Sequence, residues 1–216
     1  MRRDASYLVS GGTGGFGLAT AKRLAERGAG RLILVSRSGI KDEESRQVVN
    51  DMQKLGTTVS VLKADIADAA QLENALKGVL ADGPPLAGLV HSAAIIDDAM
   101  IPDITPERFR RAVSAKARGA WNLHLATLNA KLDFFVLYSS ATTAFGNPGS
   151  AAYVAANGLL ESLAAARRHM GLAATVIGWG PDYRRWHAQT QRAGQADAYR
   201  RAGRQRTQFS GRSGPA

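Results

Sequence analysis

The tightest restriction on how this chain can fold comes from one segment, Ser10-Gly11-Gly12-Thr13-Gly14-Gly15-Phe16-Gly17. Five of the seven residues from 11 to 17 are glycine, so the backbone there can turn sharply and approach a neighbouring group closely. Upstream, Tyr7-Leu8-Val9 reads as the middle of a strand. Downstream, Leu18, Ala21, Leu24 and Ala25 form one apolar stripe, while Lys22, Arg23, Glu26 and Arg27 face away. A strand, a glycine turn and a helix in that order aim the free amides of the helix N-terminus at the turn, where the helix dipole favours anionic oxygen. Gly11 supplies the tight turn, Gly15 lets the backbone approach a pyrophosphate, and Gly17 allows close helix–strand packing. Thr13, Gly14 and Phe16 complete the candidate phosphate loop.

The same alternation runs on for about 180 residues. Strands are expected at 6–10, 31–36, 58–63, 86–92, 132–139 and 173–179, and helices at 17–27, 43–55, 69–80, 106–128 and 151–169. Leu32-Ile33-Leu34-Val35 is apolar without interruption, as a strand buried on both faces requires. Strand–helix alternation of this kind demands right-handed crossovers. The expected fold is α/β, a Rossmann-like doubly wound parallel sheet with helices on both faces.

Composition bounds the function. The net charge is +10, yet residues 181–216 hold eight arginines against only Asp182 and Asp197. The excess of basic residues is mostly a tail property and marks no nucleic-acid-binding domain. No cysteine is present, so thiolate metal sites and disulfides are excluded. His91, His124, His169 and His187 have no ligand spacing, and no metal site is expected. No apolar run approaches the roughly 18 residues of a membrane span; a cytoplasmic protein is expected. Residues 181–216 contain no Leu, Ile, Val or Met, so they are expected to form a disordered basic tail behind a core at 1–180.

The end of the second strand bears on cofactor choice. Its sequence is Val35-Ser36-Arg37-Ser38, with no acid before Asp42. An acid there suits the ribose hydroxyls of NAD, whereas arginine accommodates a 2′-phosphate, so Ser36 and Arg37 point to NADP. Asp65, followed by Ile66 after the third strand, either accepts a bond from the adenine amino group or caps the next helix. Carbonyl reduction further needs a proton donor and a group holding the developing alkoxide. Ser140 and Tyr153 are 13 positions apart, a strand end and an early helix position that can converge on one carbonyl. Asn157 lies one turn after Tyr153. Lys116 belongs to the preceding long helix, from which a cation can lower the tyrosine pKa. Taken singly, Tyr153 and Lys116 also suit an ordinary helix surface, and Ser140 a turn.

Together, Gly11–Gly17, Arg37, His91-Ser92-Ala93-Ala94, Lys116-Ala-Arg-Gly-Ala-Trp-Asn-Leu-His124, Ser139-Ser140-Ala141 and Tyr153-Val-Ala-Ala-Asn157 resemble the ketoreductase domains of modular polyketide and fatty-acid synthases, within the short-chain dehydrogenase/reductase superfamily. Most of that superfamily has a lysine four residues after the tyrosine. Here Asn157 stands there and the lysine is Lys116, an exchange that resembles the synthase ketoreductases. The resemblance implies that Tyr153 donates the proton, Ser140 holds the ketone oxygen, and Lys116 and Asn157 support the proton relay. It implies NADPH as cofactor, with Ser92, Ala93 and Ala94 beside it. It implies a β-ketoacyl thioester on an acyl carrier protein as substrate, with other synthase domains as partners. Ile96-Asp97-Asp98 resembles the Leu-Asp-Asp motif of ketoreductases giving the D-configured product. The opposite class has tryptophan eight residues before the tyrosine, where this chain has Phe145. The alternative is that the two aspartates merely cap the next helical segment. The family also carries a lid helix, a seventh strand and a last helix, which residues 181–216 cannot build. A truncated or frame-shifted reading of a longer gene is therefore expected, and an inactive NADP-binding fragment is the alternative to a working reductase.

Overall fold

The computed structural model describes residues 1–81 and 83–180; the expectations for the tail at 181–216, including the missing lid and seventh strand, lie outside those residues. Six parallel strands, β1 (Ser6–Ser10), β2 (Arg31–Ser36), β3 (Thr58–Lys63), β4 (Leu86–His91), β5 (Phe134–Ser140) and β6 (Thr175–Trp179), form one sheet in the order β3-β2-β1-β4-β5-β6. The order reverses direction between β1 and β4, and that reversal opens a crevice at the strand C-termini where ligands of such sheets bind.

Alternation along each strand builds two cores. Tyr7, Val9, Leu32 and Leu34 point to the face covered by α1 (Gly15–Glu26) and α2 (Glu43–Lys54), which add Leu18, Ala21, Val49 and Met52. Leu8, Ile33, Val35, Phe135 and Leu137 point to the other face. There α3 (Ala69–Ala81), α5 (Gly119–Ala126) and α7 (Ala151–His169) contribute Leu72, Leu76, Leu123, Leu160 and Leu163. Every residue of Leu32–Val35 is fully buried, as the unbroken apolar run requires. Arg167 of α7 is buried too; its guanidinium lies 3.9 Å from the Phe135 ring centroid and donates to the Ala173 carbonyl and His124 Nδ1.

Four details go beyond the expected elements. The long helix expected at 106–128 is broken: α4 (Pro106–Val113) passes through a π-helical turn, Ser114–Arg118, before α5. Thr105, not an aspartate, caps α4 by accepting from the Arg108 amide. A short α6 (Thr142–Phe145) follows β5. Finally, the β1–β4 pairing slips by one residue: Ser6 is opposite Leu86, but Tyr7 is opposite Gly88 and Ser10 opposite His91. Gly88 is also where the Phe134 ring crosses the sheet, since an added Cβ would stand 2.2 Å from its Cζ. That ring stacks on Tyr7 at 5.7 Å.

Candidate active site

The glycine loop joins β1 to α1 as its sequence dictates. Gly11 has φ +70° and Gly15 φ +53°, conformations costly for any other residue. A Cβ at Gly17 would meet the Gly11 carbonyl at 2.2 Å and Ser92 Oγ at 2.5 Å, so glycine lets α1 start hard against β1 and the end of β4. A Cβ on Gly14 would point into open space. The loop thus presents backbone with room before it, as a pyrophosphate requires. Thr13 Oγ1 donates to Ser36 Oγ at 2.9 Å, and the Gly39 amide donates to the same oxygen, tying the phosphate loop to the end of β2. Phe16 stacks on Trp179, with ring centroids 5.3 Å apart.

A cleft of about 150 Å3 opens over the switch point. Its lining brings together Gly11, Ser36, Arg37, Asp65, Ile66, Ala93 and Ala94, residues from the ends of four strands. Arg37 is exposed and has no carboxylate partner among the described residues. Asp65 does not cap α3: its Oδ1 accepts from the Ala67 amide, while Asp68 caps the helix by accepting from Ala70 and Gln71. Ile66 is largely turned into the core, and its carbonyl accepts from Asn122 Nδ2 of α5. Ser92 Oγ donates to the Ser10 carbonyl, holding the two strand ends together.

Lys116 sits in the π turn and is 3% exposed, with Nζ 4.9 Å from the centroid of the Tyr153 ring. Burial pushes its pKa down to about 8. Asn157 is fully buried; its Nδ2 donates back to the Tyr153 carbonyl, and its Oδ1 has no protein partner. An orphaned buried acceptor leaves a polar place for a ligand hydroxyl or water. Tyr153 itself departs from the expectation of a lowered pKa. Its burial raises it above the ordinary phenol value, the Asn157 side chain counteracts, and the charge of Asp98 raises it further. The phenol therefore stays protonated, the form a proton donor needs. Ser140 is buried at the end of β5 and accepts from the Thr142 hydroxyl at 2.9 Å and the Thr142 amide at 3.3 Å. It anchors a turn, as one reading of it held, yet accepting twice leaves its own O–H to donate.

Sequence reasoning missed the groups that hold these side chains. Asp97 is not a cap: it takes Arg108 at 2.8 Å and Arg111 Nε at 2.8 Å, and Arg108 also donates to the Asp98 carbonyl. Arg111 foremost, then Arg108, hold the Asp97 carboxyl below its usual range. The Ala99 amide donates to the Gly149 carbonyl at 2.7 Å, which brings the Asp97–Asp98 segment beside the loop leading to Tyr153. Phe145, at the end of α6, is 70% exposed. Among the described residues no three His, Asp or Glu side chains come together as a metal site, and no helix is long and apolar enough to cross a membrane.

The chain resembles known proteins over most of its length. The KR domain family matches residues 5–183. The chain is 43% identical over 180 residues to a reducing polyketide synthase of Cochliobolus heterostrophus, covering 83% of this chain and 7% of that protein. It is 40% identical over 180 residues to the phthioceranic/hydroxyphthioceranic acid synthase of Mycobacterium tuberculosis, covering 83% of this chain and 8% of that protein. The chain thus spans less than a tenth of these relatives. Among solved structures, A-type ketoreductases from a modular polyketide synthase align with a TM-score of 0.76 at 38% identity, over 81% of this chain and 37% of theirs. The ketoreductase from the first module of phoslactomycin biosynthesis in a Streptomyces species aligns at 0.78 and 34%, over 82% and 41%. This chain belongs to the KR domain family, the ketoreductases of polyketide synthases, with the short-chain dehydrogenase/reductase fold.

Proposed function

We propose that residues 1–180 are an NADPH-dependent ketoreductase core that reduces a β-ketoacyl thioester, carried by an acyl carrier protein, to the D-configured β-hydroxyacyl product. The observation that carries this reading is the buried Lys116 ammonium held 4.9 Å from the Tyr153 ring centroid, with the orphaned Asn157 oxygen on the same helix as Tyr153. The cofactor reading is supported by the open backbone at Gly14, the conformations of Gly11 and Gly15, and the uncommitted Arg37 at the end of β2. Gly11–Gly17 would hold the pyrophosphate, Ser36 and Arg37 the 2′-phosphate, and Asp65, Ile66, Ser92, Ala93 and Ala94 the adenosine side of the crevice. When bound, the reduced nicotinamide supplies the hydride.

The chain's own residues supply the rest. Ser140 donates its hydroxyl hydrogen to the ketone oxygen, polarising the carbonyl and holding it in place. As negative charge grows on that oxygen, the Tyr153 O–H bond breaks and its proton passes to the alkoxide, giving the alcohol. The tyrosinate left behind is stabilised by the Lys116 ammonium, and Asn157 offers its free oxygen to the relay that reprotonates it. Asp98 lies close enough to Tyr153 to act on its charge, which supports a part for this loop in presenting one face of the ketone. Phe145, in place of the opposite class's tryptophan, supports the same stereochemistry.

The test is cofactor oxidation by the purified chain with a short β-ketoacyl thioester, run with NADPH and NADH in parallel and beside Tyr153→Phe. The expected result is turnover with NADPH over NADH and a loss of at least roughly 100-fold in the Phe variant, the scale of a general acid. A soluble, folded wild-type chain that binds NADPH without turning over the thioester would overturn the reductase reading and favour a cofactor-binding fragment.

A further inference from the structure

Beside the groups assigned above, the molecule buries a line of polar contacts that proton transfer does not use. It begins at Ser10, the last residue of β1 and the neighbour of the turn at Gly11. Ser10 Oγ lies 2.6 Å from His91 Nδ1, and His91 Nε2 lies 2.8 Å from the carbonyl oxygen of Lys116. Ser10, His91 and Lys116 are 0%, 1% and 3% exposed. A carbonyl oxygen can only accept, so Nε2 carries the ring hydrogen and Nδ1 accepts from the Ser10 hydroxyl. Burial foremost, and the nearby Lys116 charge, push the imidazole pKa down to about 3 and keep it in that neutral form.

The carbonyl that His91 takes belongs to the π turn. There the Gly119 amide reaches back five residues to the Ser114 carbonyl, and also toward the Lys116 carbonyl. Such an expanded turn has poorer backbone bonding than the helix on either side and persists where its surroundings hold it. Glycine at 119 leaves room for the groups that do so: a Cβ there would stand 2.6 Å from Ile66 Cδ1 and 3.7 Å from His91 Cε1.

We propose that His91 is a positioning residue, whose Nε2–H grips the Lys116 carbonyl, holds the π turn open and so aims the Lys116 side chain at Tyr153. Ser10 fixes the tautomer that makes the grip possible, which ties the strand leading into the phosphate loop to the lysine beside the proton donor. His91 touches neither substrate nor cofactor and acts only through Lys116. The inference rests on the reductase reading for its catalytic consequence, but not for its structural one.

The experiment compares wild type, His91→Leu, His91→Gln and Ser10→Ala, with folding followed by circular dichroism. Two readouts are taken: the kcat and KM split in thioester reduction, and the titration of Lys116 by NMR on isotope-labelled lysine. In His91→Leu the expected result is a kcat loss of roughly 10- to 100-fold with little change in KM, the scale of a small misplacement of a reacting group. Lys116 is expected to titrate upward, from near 8 toward the ordinary 10.5. His91→Gln, which carries a donor and an acceptor at similar reach, restores most of both. A folded Leu variant with wild-type kcat or an unmoved Lys116 titration overturns the proposal, as does a Gln variant no better than Leu. Should His91→Leu not fold, Ser10→Ala decides: a lowered kcat with a raised Lys116 titration supports the grip, and wild-type values of both overturn it. Should wild type itself fail to reduce the thioester, the reductase reading falls and the Lys116 titration alone decides the positioning.

Discussion

Lys116 is a cation kept almost wholly from water, and that position has a cost. Its folded-state pKa near 8 lies below the 10.5 of an exposed lysine. Between those values the unfolded chain binds the proton more tightly than the folded one, so stability contributed at this site rises with pH across that window and is lowest below it. Lys116→Met, which fills the same space without charge, is therefore expected to stabilise the chain at neutral pH, by on the order of 1–3 kcal/mol, while abolishing reduction. Denaturant melts at pH 7 and pH 10 check this. The advantage of the variant should shrink at the higher pH, and equal stability of both chains at pH 7 would contradict the buried charge.

At the level of elements, the loop after β4 is held by a clamp rather than by its own conformation. Asp97, 12% exposed, takes both Arg108 and Arg111 of α4. Asp97→Ala removes this clamp and leaves Arg108, whose Nε is already without a partner, largely unpaired. A loss of about 1–3 kcal/mol in urea unfolding is expected at neutral pH, with a raised KM for the thioester. Because the folded carboxyl sits below its ordinary 3.8, the clamp's contribution is present above that value and is lost as pH falls through the folded pKa, so the two chains should converge in acid. These contacts mark where the sequence stopped being legible. The glycine loop and the buried β2 are local patterns, and local patterns carry through to the fold. The π turn, the arginine clamp and His91 are not, because each depends on which distant element arrives opposite. A helix period reads smoothly from 106 to 128, and nothing in it marks the expanded turn at Ser114–Arg118, whose Lys116 carbonyl meets His91 of β4. Asp97 and Asp98 read from the sequence as a stereochemical motif or a cap, since the arginines that take Asp97 are more than ten residues away.

For the whole molecule, the sheet orders its own stability. β1 and β4 are paired on both sides and buried on both faces, whereas β3 and β6 each pair on one side among the described residues, and β6 is partly exposed along its length. Amide exchange is expected to be slowest in β1 and β4 and fastest in β6; uniform protection across the sheet would show that the strands open only together. The same sheet carries one odd count. Between Ser6–Leu86 and Tyr7–Gly88 the fourth strand runs one residue ahead of the first, and Ala87 is the surplus. Paired residues of neighbouring strands share a face, so this surplus sets whether position 91 or position 90 stands beside Ser10. Were the fourth strand to pair without that shift, running on regularly from Leu86 through Ala87, Val90 would stand beside Ser10 and His91 would face the side of α1, away from Lys116. A one-residue shift of register at the start of one strand thus decides which face of the sheet its last residue joins.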